Sequence, residues 1–173
     1  TLYMSIIFIL LALVLRGVSF EYRLRTTRLK GLWDNAFFGG SIVAAFTQGV
    51  ALGALVQGIE VSGRAYAGGW FDWLTPFSVL TGLAVVVGYA LLGATWLVMK
   101  TDGETQGWAR KSAEYLFIFV ALFMGMASLC MPFMNDSVQA LWFSLPNFYL
   151  LLPMPVLSVV FFVMLWRDLH RGK

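Results

Sequence analysis

The chain has 173 residues, 60% of them hydrophobic and 12% charged, with a mean hydropathy of +0.78. Soluble domains are about 45–50% apolar and about 25% charged, so an ordinary cytosolic enzyme is excluded, and a disordered segment would need low hydrophobicity and high net charge. The lone cysteine (Cys130) and lone histidine (His170) exclude an internal disulfide and a zinc site of His and Cys, and a net charge of only +3 gives no surface for nucleic acid.

A helix needs about 20 apolar residues to cross roughly 30 Å of hydrocarbon. Five stretches meet that test, at about residues 1–20, 35–59, 73–99, 115–133 and 147–166. They are apolar on every side, without the alternation of a membrane strand. A continuous apolar run in lipid is helical, because the helix satisfies its own backbone. The expected fold class is therefore all-α: a polytopic transmembrane helix bundle with five spans, making residues 1–173 a single helical membrane domain.

The first span begins at Thr1 with neither a charged leader region nor a cleavage site, so it reads as the interior of a longer protein and not as a signal peptide. At its far end Arg16, Glu21 and Arg23 cluster at a membrane boundary. Two readings stand: an interfacial salt-bridge cluster with snorkelling arginines, or a place that shapes proton entry or docks a small subunit. Trp33 and Asp34 read as a boundary anchor and a helix N-cap for the second span.

The second span holds 25 residues without a charge. Gln48, near its middle, reads as an interhelical hydrogen bond or as a contact to a quinone or water file, and Gln57 lies near its outer end. Ser41, Ala45, Gly49, Gly53 and Gln57 recur every four residues. They share one face, which predicts close helix packing.

The third span, 27 residues without a charge, leads to Lys100 and Glu104. These two meet at i,i+4 only if helix continues through Gly103. In the fourth span Met124, Met126, Met131 and Met134 read as core filling rather than as haem ligands. In the fifth, Pro153 and Pro155 predict a kink. No nucleophile–base pair and no phosphate-cradling loop is visible, so no catalytic, cofactor-binding or metal-binding residue is assigned.

Eleven of the 12 Lys and Arg residues fall on one side of the five-span arrangement; Arg64 is the exception. By the positive-inside rule the Thr1 end lies outside and the Lys173 end in the cytoplasm.

More specific than composition is an ordered set of strings. They are Arg16-Gly17-Val18-Ser19-Phe20-Glu21-Tyr22-Arg23, then Trp33-Asp34, Phe37-Phe38 and Gly40-Ser41, then Gln48-Gly49-Val50-Ala51-Leu52-Gly53, Gln57-Gly58 and Pro76-Phe77. Gly93-Ala94-Thr95-Trp96-Leu97, Lys100-Thr101, Gly103-Glu104 and Arg110 complete the set. This set closely resembles subunit II of the cytochrome bd quinol oxidase family, with the stretch from Thr47 to Gly53 closer to its cyanide-insensitive branch.

The resemblance implies a respiratory-chain complex in the bacterial inner membrane that oxidises quinol, reduces oxygen to water and generates proton-motive force. It implies that b and d haems sit on a partner, subunit I, and that this subunit carries none. A structural quinone and a small accessory subunit are further implied partners, beside the lipid bilayer. The chain would correspond to about spans 3–7 of a nine-span subunit. A transporter or channel core, motivated by the predicted kink and the small-residue stripe, is the alternative reading.

Overall fold

A computed structural model describes residues 2–26, 28–58, 61–62, 65–66, 69, 71–134, 144 and 152–171. Among them five helices form: α1 (Tyr3–Arg25), α2 (Lys30–Gln57), α3 (Pro76–Lys100), α4 (Glu104–Met134) and α5 (Pro153–Arg171). Between α2 and α3 a two-residue strand β1 (Val61–Ser62) pairs antiparallel with β2 (Ala65–Tyr66). Four of the helices, α1 to α4, are long and apolar enough to cross a bilayer. The uncharged part of α5, residues 153–166, rises only about 21 Å. The remainder of that expected span, residues 147–151, lies outside the described residues.

Several helix ends outrun the apolar stretches that predicted them. α1 continues past Phe20 to Arg25, and α4 begins at Glu104, eleven residues before Tyr115. A helix once formed extends into the headgroup region wherever propensity allows, so hydropathy marks the hydrocarbon and not the helix end. α2 starts at Lys30, which puts Asp34 inside its first turns and corrects the N-cap reading; the N-cap is Leu29. Trp73 lies in a turn before α3, not in the span.

The ends follow local chemistry. Arg23 and Arg25 occupy the last turn of α1, where cations complement the helix dipole. Gly58, at φ +90°, ends α2 in a conformation that suits glycine. Pro76 opens α3, where a missing N–H costs nothing. Pro153 opens α5, and Pro155 falls within its first turn. The predicted kink therefore gives way to a helix start, where prolines interrupt no established hydrogen bond.

The chain divides into two compact units, Thr1–Val86 and Val87–Lys173. In the first, Ser5, Ala12 and Ser19 are the buried residues of α1. Their spacing of seven is that of a helix-packing seam. Gly40 of α2 meets this seam: a Cβ there would lie 3.0 Å from the Ala12 carbonyl oxygen. Val50, Ala54 and Trp73 form the core, with Leu2, Met4 and Phe46 packed against them.

In the second unit, Ala109, Ala113 and Phe117 form a buried stripe at four-residue spacing along α4. The Phe117 ring lies 4.8 Å from Phe162 and 5.7 Å from Trp166, both on α5.

Candidate functional site

Two sets of polar groups sit at opposite ends of α2. At its start, the antiparallel partner is the end of α1. Arg23 forms an ion pair with Asp34 across the two helices, each side chain about half exposed. Glu21 accepts a hydrogen bond from Arg25 at 2.8 Å, one turn along the same helix. The Arg16 guanidinium lies 5.1 Å from the centre of the Phe37 ring. Tyr22 stacks on Trp33 with ring centroids 5.0 Å apart.

Arg16, Glu21 and Arg23 therefore do not converge on a shared site. Each is engaged with a different neighbour: Arg16 and Arg23 reach across to α2, whereas Glu21 pairs within α1. Asp34 is the member that sequence reading assigned elsewhere. Its signal was available: it lies eleven residues from Arg23, across a short antiparallel turn.

At the other end of α2, Gly49 and Gly53 face the start of α3. A Cβ on Gly49 would lie 2.7 Å from both the Gly82 Cα and the Thr81 carbonyl oxygen. A Cβ on Gly53 would lie 2.6 Å from the Ser78 Cα and collide with the Thr81 hydroxyl. Gly82 returns the contact, with room for no Cβ against Phe46 and Val50. The predicted stripe thus packs backbone against backbone, as small residues do between membrane helices.

Hydroxyls line the same seam. Thr81 Oγ1 lies 2.9 Å from the Gly49 carbonyl oxygen and 2.8 Å from that of Ser78. Thr75 donates its hydroxyl to Gln57 Oε1, which ties the end of α2 to the start of α3. The buried Ser78 donates to the Trp73 carbonyl oxygen at 2.7 Å. This row was not anticipated. Thr75, Ser78 and Thr81 recur every three residues and match Gln57, Gly53 and Gly49 in reverse order. An antiparallel alignment of the two spans would have found them.

Gln48 lies on the exposed side of α2, beside the buried Gly49 and away from the seam. Lys100 and Glu104 belong to different helices, with Gly103 at φ +72° between them. The helix continuity that their pairing required is absent. Thr101 closes α3 by donating its hydroxyl to the Leu97 carbonyl at 2.7 Å. Lys100 Nζ lies 5.4 Å from the centre of the Trp96 ring, and Glu104 takes the acidic first-turn position of α4, which the helix dipole favours.

A groove of about 540 Å³ runs between α4 and α5, lined by Phe117, Met124, Ser128, Pro155, Phe162 and Trp166 among others. Met124, Met126 and Met134 are exposed, which corrects the core-filling reading for these three, while Met131 is half-buried. Among the described residues, no three of His, Cys, Asp and Glu come together to hold a metal ion. The side chain of His170 lies outside the described residues.

The family described as cytochrome bd terminal oxidase subunit II matches residues 1–173. The chain is 36% identical over 119 residues to the probable cytochrome oxidase subunit 2 of Haemophilus influenzae, covering 65% of this chain and 32% of that protein. It is 34% identical over 142 residues to the cytochrome bd-I ubiquinol oxidase subunit 2 of Escherichia coli K12, covering 78% and 38%. Against the cytochrome bd ubiquinol oxidase subunit 2 of Bacillus subtilis it is 31% identical over 128 residues, covering 69% and 37%. The chain spans about a third of the length of these curated relatives.

Proposed function

This chain belongs to the cytochrome bd terminal oxidase subunit II family, and from that premise we propose that it serves as part of the non-haem subunit of a quinol:oxygen oxidoreductase in a bacterial inner membrane. The observation that carries this reading is the family match across all 173 residues. On this reading a partner, subunit I, holds the b and d haems, oxidises quinol and reduces oxygen to water, and this chain supports it without being catalytic alone. The Thr1 end lies outside and the Lys173 end in the cytoplasm, as the basic residues favour.

The roles of individual residues follow from their contacts. Arg16 and Arg23 brace the α1–α2 boundary while Glu21 pairs with Arg25 along α1, and these separate partners favour a structural role over a shared proton entry. Gln57 caps the α2–α3 seam, while Lys100 and Glu104 mark the boundary between α3 and α4. A structural quinone, if the complex holds one in this segment, has an apolar place for its tail in the α4–α5 groove, whose volume lies within the usual range for ligand sites. The transporter reading loses one of its two motives, because the prolines of α5 start the helix instead of breaking it, and the other, the small-residue stripe, is taken up by close packing against α3.

The test uses the full-length parent protein, affinity-tagged and purified gently from its native membrane. A reduced-minus-oxidised visible spectrum with haem d and haem b bands on a co-purifying partner is the expected result. A folded, colourless preparation without a partner overturns the reading.

A further inference from the structure

We draw no further inference here: the strongest candidate, the apolar groove between α4 and α5, belongs to the site already described, and nothing in the structure shows what covers it.

Discussion

Of the apolar window of α2, 39% is buried within this chain, whereas in α4 the share is 6%. Both helices are apolar and of similar length, so hydrophobicity does not separate them. What separates them is side-chain size at the contact. Around α2, Gly40, Gly49, Gly53 and Gly82 let backbones approach until a single added methyl would collide. Along α4, Gly125 has open space where its Cβ would be, and large side chains such as Phe117 reach α5 across a groove. In lipid there is no hydrophobic gain from hiding leucine behind leucine, so tight burial occurs where small residues and hydroxyls make close contact possible.

Gly53→Leu should break this comparison most severely. The side chain has no space against Ser78 and Thr81, and overpacking of this kind costs about 3 kcal/mol. A large drop in thermal midpoint, measured on the detergent-solubilised parent protein, is expected. A midpoint equal to wild type would show that the α2–α3 seam opens without penalty. Thr81→Val keeps the shape but removes the hydroxyl between Gly49 and Ser78. It should cost about 0.6 kcal/mol, since hydrogen bonds between membrane helices are modest.

A double-mutant cycle with Arg23→Gln and Asp34→Asn should return a coupling of about 0.2–1 kcal/mol, because both side chains are about half exposed. The coupling should fade as salt is raised. A large, salt-independent coupling would mean that the pair is buried in the assembled protein. The smallest effect is expected for Gly125→Ala, which enters open space and should shift stability by less than about 0.5 kcal/mol. A marked loss there would reveal that something fills the groove in the complete complex.

The seam was legible because its cause is local. Glycine every fourth residue on an apolar helix marks a face where another backbone can come close, and Gly49 and Gly53 meet one. The partner was not legible from α2 alone. Thr75, Ser78 and Thr81 had to be aligned with it in the antiparallel direction. Charges misled for a similar reason. Asp34 looked like a cap beside Trp33, but helix began four residues earlier at Lys30, and the carboxylate turned to Arg23. Lys100 and Glu104 had the spacing of a pair, yet Gly103 took a positive φ and split the helix between them.

Composition and hydropathy by themselves determined that this is a helical membrane protein. A bilayer leaves the backbone no other way to satisfy its hydrogen bonds along a continuous apolar run. The order of short motifs determined the family, and the comparisons bear it out. Tertiary structure decided which polar groups are partners, where helices end relative to the hydrocarbon, and which apolar faces remain open. Those outcomes depend on how segments approach one another in space, and no periodicity in one segment carries that information.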